Sequence, residues 1–503
     1  MFLRALISVA VCTAAASAQL AQPQFFEVDQ VQSSGWVSNQ GASREVIASF
    51  VVEHPAVASL RLQFDEVHLA GSPFDADGSL VRITSLKDGH QQTLNALQMQ
   101  EWEHGSAWFN GSAVQVDIIA SPGTGGNLVT LGSLEVGTPI GGYESQCGPN
   151  DDRLPSNDPR VARLLPSGCT AWMIQDCAKC FLSAGHCGTG NNMVEFNVPF
   201  STSGGSWVHP PPSDQYSIDS ASKQANNAFG NDWFYFGTVA NSVTGLSAFA
   251  GQGDAFALVD PPAVSGNDIR ITGHGTDSTP NSTYNQVQQT HVGPFTSNGS
   301  ILQYQTDTTG GNSGSPIIWE QADAAIGVHT NAGCSTSGGG ANQGTPITQP
   351  ALQAALNNPL GVCATGGICG AVEDLGFALA GPSPYTTAPS FTGNSTLVAG
   401  EGYTFAVQLP GSIVASNTTA YLVLGFAELQ APLYGGVLVP SPDVIVGFVV
   451  DTLSADGLKI SLNGTWPAGV PSGSEIFAQW WATVDGVFVD ATLASNALKL
   501  TTP

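Results

Sequence analysis

The sequence is poor in positive charge. Lys and Arg number 13 against 39 Asp and Glu, for a formal net charge of -26. Such a surface repels phosphate backbones and anionic membranes at long range, which excludes nucleic acid as a partner. Charge of either sign is also scarce, at 10% of residues beside 42% hydrophobic, so the polar, self-repelling composition of a disordered chain is excluded. Long apolar runs are missing. The stretch from Ala5 to Ala16 falls well short of the roughly 20 residues that cross a bilayer, and nothing later is long enough. Helical periodicity is confined to "ITQPALQAALNNPLG", where Leu352, Ala355 and Leu356 share a face and Pro359-Leu360-Gly361 ends it. Cysteine is absent from both flanks: of the nine, Cys12 lies near the start and all the others fall between Cys147 and Cys369.

What is present is turn chemistry and alternation. Gly 59 and Pro 31 punctuate short runs with period 2, the pattern of half-buried antiparallel strands. At 503 residues more than one core is expected. The N-terminus "MFLRALISVAVCTAAASAQ" pairs Arg4 with an apolar stretch and the small-x-small site Ala16-Ser17-Ala18. This reads as a signal peptide (1–18) cut after Ala18, and hence as a secreted protein. "REVIASFVVE", "SLRLQFDEVHL" and "AVQVDIIA" predict an N-terminal β-sandwich over 19–140, either a propeptide or an accessory module. The central unit, 145–370, holds the remaining cysteines, which on an exported chain read as disulfides. "AGPSPYTTAPS" marks a Pro/Ser/Thr linker (371–389), and alternation resumes over 390–503 as a C-terminal β-sandwich. Cys177-Ala178-Lys179-Cys180 lacks the second ligand pair that zinc needs, and "SPFDADGS" lacks the ligand spacing of a calcium loop. No cofactor, metal or second subunit is called for; the expected form is a monomer.

Two segments of the central unit carry chemistry. "CFLSAGHCGTG" ends an apolar strand at His186, and "TDTTGGNSGSPII" sets Ser313 in a glycine-rich bend before another apolar strand. A serine hydroxyl is a poor nucleophile until an imidazole takes its proton. The bend must also aim N–H groups at a developing oxyanion, and Gly311 and Ser313 would supply them. A carboxylate should orient the imidazole. Between His186 and Ser313 the candidates are Asp214, Asp219, Asp232, Asp254, Asp260, Asp268, Asp277 and Asp307. Asp232 opens the aromatic, strand-forming "GNDWFYFGTV", whereas most of the others sit in Gly/Pro/Ser loops.

"FLSAGHC", "NDWFYF" and "GGNSGSP", in that order, resemble the His, Asp and Ser signatures of trypsin-like serine proteases with the chymotrypsin fold, over roughly residues 145 to 365. "ITGHGTD", "YQTDTTGGNSGSPI" and "GVHTNAGC" are similar to secreted bacterial glutamyl endopeptidases, with His274 standing where that pattern has an aromatic residue. The resemblance implies an all-β molecule: a chymotrypsin-like double β-barrel between two β-sandwiches. It implies an endopeptidase acting on protein or peptide substrates through His186, Asp232 and Ser313. It also implies a Cys169–Cys187 disulfide, which in the chain-entropy model stabilises by about 3 kcal/mol.

Specificity divides between two residues. Asp307, with Thr308 beside it, falls where trypsin-like enzymes keep the acid that pairs with Arg or Lys, and His329 falls where glutamyl endopeptidases read a Glu carboxylate. Were the two in contact, Asp307 would orient His329 or raise its pKa, which favours cleavage after acidic residues. Asn312 precedes the serine where pancreatic-type proteases have an aspartate that captures a newly cut N-terminal ammonium. An amide cannot form that ion pair, and no basic residue precedes Ile140 in "PIGGYES". The alternative class is an inert protease-like binding or adhesion protein, since the C-terminal stretch resembles a module recurring on many secreted bacterial proteins.

Overall fold

The computed structural model describes residues 24–502 except 74–76, 139–143, 177, 278–281, 365–371, 381–387, 396, 398–401, 410–417, 451–457, 468, 472–473 and 484–492. The signal-peptide reading, Ile140, Cys177 and Cys369 therefore lie outside the described residues. The chain divides into two compact units, one running to Val362 and the other from Cys363 onward and including Asp176–Ala178.

In the first unit two four-stranded sheets come first. One runs Gln24–Ser33, Leu128–Thr138, Ser59–His68, Phe109–Asn110; the other Glu45–Glu53, Ala113–Ala120, Leu80–Ser85, Gln91–Leu94. Leu80–Ser85 alternates between half-buried and buried positions along its length, as period-2 patterning requires of a strand with one face on a core. The inward faces meet in a core that includes Leu60, Val81, Trp108, Val116 and Val136.

The double barrel follows. The first sheet is open: Gln215–Ser217, Met193–Glu195, Val161–Leu165, Cys169–Met173, Phe181–Ser183, Asn231–Phe236, Gln224–Ala228. The second closes into a six-stranded barrel of Gln289–Ser297, Asp268–Gly273, Pro316–Trp319, Ala324–Asn331, Asn342–Pro346 and Leu302–Tyr304, the last pairing back onto the first. This is the chymotrypsin-like double-barrel architecture. Val161–Leu165 and Cys169–Met173 are buried at every position. Alternation is lost there because both faces are covered: Leu165 and Met193 belong to the core of the preceding sheets. The helix expected near residue 350 spans Pro350–Leu356, with Leu352 and Ala355 inward. Short helices Ala96–Glu101 and Ala248–Gln252 carry too few turns to show a period.

The second unit has a five-stranded sheet, Val372–Gly376, Leu493–Thr501, Glu475–Ala482, Thr418–Gly425, Val444–Val450, and a three-stranded sheet, Ser390–Ser395, Gly402–Leu409, Leu458–Thr465. Its core gathers Phe391, Val407, Leu422, Trp480 and Leu498.

Candidate active site

Strand Phe181–Ser183, buried throughout, runs into a one-turn 3-10 helix, Gly185–Cys187, that presents His186. A side chain at Gly185 would collide with the carbonyls of Asn226 and Trp233, so glycine is what lets this turn sit against the Gln224–Phe236 hairpin. Asp232 is the first buried position of strand Asn231–Phe236. Its Oδ1 accepts the His186 N–H at 2.9 Å, and its Oδ2 lies 2.5 Å from His186 Nδ1. The Asp232 N–H donates to Thr345 Oγ1 at 3.0 Å, which ties the strand to the closed barrel. Both the backbone and the ring of His186 are thus fixed by one carboxylate that is 4% exposed.

Ser313 Oγ stands 2.8 Å from His186 Nε2. The bend that carries it needs left-handed backbone at Gly311, φ +99°, where any side chain would also strike the His274 and Gly168 carbonyls. Its carbonyls are held from the other barrel by strand Cys169–Met173. Thr170 Oγ1 donates to Gly311 O at 2.9 Å, Thr170 N–H to Ser313 O at 2.9 Å, and Trp172 Nε1 to Gly314 O at 2.9 Å. Within the bend Asn312 N–H is taken by Thr309 O and Gly314 N–H by His329 O. The carbonyls that share peptide planes with the Gly311 and Ser313 N–H groups are those of Gly310 and Asn312, which accept from Thr276 N–H at 2.7 Å and Ser315 N–H at 2.9 Å, so these two N–H groups point the opposite way along their planes. Thr170 and Trp172 carry no signal in the sequence, because their partners belong to another barrel.

His329, buried in strand Ala324–Asn331, brackets the serine through its backbone. Its N–H donates to Ser315 O at 2.9 Å and its C=O accepts from Gly314 at 2.8 Å. Its Nδ1 lies 2.5 Å from Tyr304 Oη. Burial, with a smaller contribution from nearby His186, lowers the His329 pKa to about 3 against the opposing Gln343 carbonyl. Burial also drives the Tyr304 hydroxyl well above its usual range. Both side chains are therefore neutral at neutral pH.

Asp307, expected as a pocket-floor acid, is buried and bonded to backbone. Its carboxylate accepts the N–H of Cys147 at 2.6 Å and of Asp152 at 2.8 Å, and its own N–H donates to His291 Nδ1 at 2.7 Å. Two backbone N–H groups satisfy this buried carboxylate and hold it on the 147–152 segment. Thr308 Oγ1 accepts from Asn342 Nδ2 at 2.9 Å. Asp152, His291 and Asp307 place ligand-type atoms within 4.8 Å of one another, yet these same bonds already engage the Asp307 oxygens and His291 Nδ1.

Disulfides join Cys169 to Cys187 and Cys147 to Cys334, and Cys180 and Cys363 are also disulfide-bonded. The first links strand Cys169–Met173 directly to the His186 turn. No helix among the described residues is long and apolar enough to cross a membrane.

His186, Asp232 and Ser313 thus meet on a chymotrypsin-like double-barrel fold. No protein-family model matches the sequence, and no curated protein does. Solved structures similar to it include a Glu endopeptidase in complex with MPD (22% identity, TM-score 0.33, covering 42% of this chain and 98% of that one). A thermostable serine protease, AL20, from an extremophilic microorganism is similar at 17% identity and TM-score 0.31, over 41% of this chain and 98% of its own. Neuropsin, a serine protease of the mouse limbic system, is similar at 16% identity and TM-score 0.32, over 43% and 98%.

Proposed function

We propose that this protein is a secreted serine endopeptidase. The observation that carries the reading is the pair of hydrogen bonds on His186, Nδ1 to Asp232 at 2.5 Å and Nε2 to Ser313 at 2.8 Å. In this reading Ser313 Oγ attacks the scissile carbonyl carbon while His186 Nε2 takes its proton. The oxyanion is received by the N–H groups of Gly311 and Ser313. Collapse of the intermediate breaks the C–N bond, the proton on His186 passes to the leaving amine, and water then hydrolyses the acyl-enzyme by the same sequence. Asp232 keeps the imidazole oriented and stabilises its charged form.

The preference favoured is for Glu or Asp before the scissile bond, read by His329. A buried, neutral imidazole gains most from a carboxylate partner, which would raise its pKa and share its proton. Asp307 is bonded to Cys147 and Asp152, which weighs against it as a receptor for Arg or Lys. The domain boundaries proposed are those expected: an N-terminal sandwich to about 140, the peptidase to about 370 and a C-terminal module from about 390.

The test is cleavage of a mixed peptide library by the secreted form beside Ser313→Ala, read by mass spectrometry. Ser313-dependent cuts after Glu or Asp are expected. Cuts after Arg or Lys would remove His329 from the pocket, and the absence of Ser313-dependent cuts would leave a binding protein on a protease scaffold.

A further inference from the structure

The nucleophile bend is gripped by a segment lying well before it in sequence. Glu144–Ser145 pairs with Thr308–Thr309, Cys147 is bonded to Cys334, and Asp307 receives the N–H groups of Cys147 and Asp152. The strap ends in Arg153, whose side chain is 2% exposed. Asp151 neutralises it through two contacts, Nε to Oδ1 at 2.9 Å and Nη2 to Oδ2 at 2.6 Å. The rest of the guanidinium points at the bend: Nη1 donates to Thr309 Oγ1 at 2.8 Å and Nη2 to Thr276 O at 3.2 Å. Thr309 passes the grip on. Its hydroxyl donates to Thr276 O at 2.8 Å, its N–H to Asn312 Oδ1 at 2.9 Å, and its carbonyl takes the Asn312 N–H at 3.0 Å. Thr276 N–H closes the ring onto Gly310 O at 2.7 Å. One buried cation is therefore two residues' contacts away from the residue preceding Ser313. Asn312, whose amide oxygen is already engaged by Thr309, has no carboxylate to offer an ammonium group.

We propose that Arg153 is a positioning residue which, through Thr309 and Asn312, holds the Gly311–Ser313 N–H groups in the geometry that receives an oxyanion. The bend is then ordered by a cation built into the chain, and no ammonium group of a newly cut N-terminus is needed for it. This rests on the serine endopeptidase reading. A structural ion pair alone would need only Asp151; the fork onto Thr309 and Thr276 is what connects the cation to the bend.

Thr309→Val keeps the shape and removes the hydroxyl, whereas Thr309→Ser keeps the hydroxyl. The rate of Ser313 labelling by a fluorophosphonate and the kcat on a peptide ester, both measured well below each variant's melting temperature, should fall about 10²-fold in Thr309→Val, with KM little changed. Thr309→Ser should return to within a few-fold of the parent. In Arg153→Ala, added guanidinium ion should restore part of the labelling, and acetylation of the α-amino group of the parent protein should change nothing. Labelling of Thr309→Val at the parental rate, or loss of labelling on acetylation, overturns the proposal. Amide hydrogen exchange in a Ser313→Ala background separates it from the function it rests on. Faster exchange at residues 309–313 in Thr309→Val, with a parent that fluorophosphonate never labels, keeps the positioning role and sinks the catalytic one. Unchanged exchange at 309–313 sinks the positioning role.

Discussion

The two ends of this chain use the same strand patterning to different effect. The N-terminal sheets share a core with the barrels: Leu165, Met193 and Trp207 are buried together with Leu60, Trp108 and Val136. Phe25 packs on Trp207 at 5.3 Å between ring centroids, and Trp108 stacks on the His209 ring at 5.1 Å. Polar groups clamp the seam reciprocally. Gln215 accepts the Trp108 N–H at 2.8 Å and donates to its carbonyl at 2.9 Å, and Asn110 does the same for the His209 backbone at 2.9 Å in each direction. Behind the seam Glu195 binds Arg163 at 2.6 Å and His209 at 2.7 Å, all with no exposed side-chain surface. Although burial opposes its charge, His209 and Arg163 hold the Glu195 carboxyl below its usual range, and burial pushes His209 down. The C-terminal sheets bury Phe391, Trp480 and Leu498 in a core of their own and belong to the other compact unit. What joins the N-terminal sheets to the barrels in one unit is a handful of interface side chains.

The sharpest break in this comparison is deletion. Removing residues 24–138 should leave the barrels insoluble, because it uncovers Trp207, Leu165 and Met193 together. A chain ending at residue 388 should still label at Ser313 at the full rate. Equal recovery of both truncations on gel filtration would erase the distinction. Next, Trp108→Ala should cost the first unit about 3–5 kcal/mol while leaving the melting of the second unit in place, and Trp480→Ala should do the reverse. Differential scanning calorimetry of the full chain reads both.

Acid should also separate the two units. All nine histidines precede residue 330. His329 titrates at about 3 when folded and near 6.5 when unfolded. Below pH 6.5 the unfolded state therefore holds an extra proton, and stability falls as pH drops toward 3, with no contribution from this residue above 6.5. His329 alone should cost the first unit roughly 2 kcal/mol by pH 5. His274, well below its usual range through burial, and His209 act in the same direction. A melting temperature for the first unit that is flat from pH 7 to 5 would contradict this, and the second unit should show no histidine contribution at all. The smallest expected effect is that of Gln215→Ala, about 1–2 kcal/mol from two backbone groups of Trp108 left unpaired. The corresponding loss from Gln479→Ala, whose amide bridges Val437, Val439 and Ser495, should be confined to the second unit.

Much of the site was legible because its chemistry is local. His186 after an apolar strand, Asp232 opening an aromatic one and Ser313 between glycines are each marked by neighbours in sequence, and they do meet. The partners of Asp307 were not legible, because spacing says where a residue lies along the chain and nothing about which backbone N–H groups reach its carboxylate. Arg153, Thr170, Trp172 and Tyr304 went unseen for the same reason: each acts on a partner far along the chain.

The sequence by itself determined the all-β class, the turns, the turn-borne positions of His186 and Ser313 and the restriction of cysteine to the middle of the chain. These follow from side-chain periodicity and backbone sterics, which operate over a few residues. Only the tertiary structure decided that the N-terminal sheets share a core with the barrels, that His329 is buried and neutral, and that the serine bend hangs on Thr170 and Arg153. Those outcomes depend on which surfaces exclude water from one another, and desolvation is a property of the packed whole.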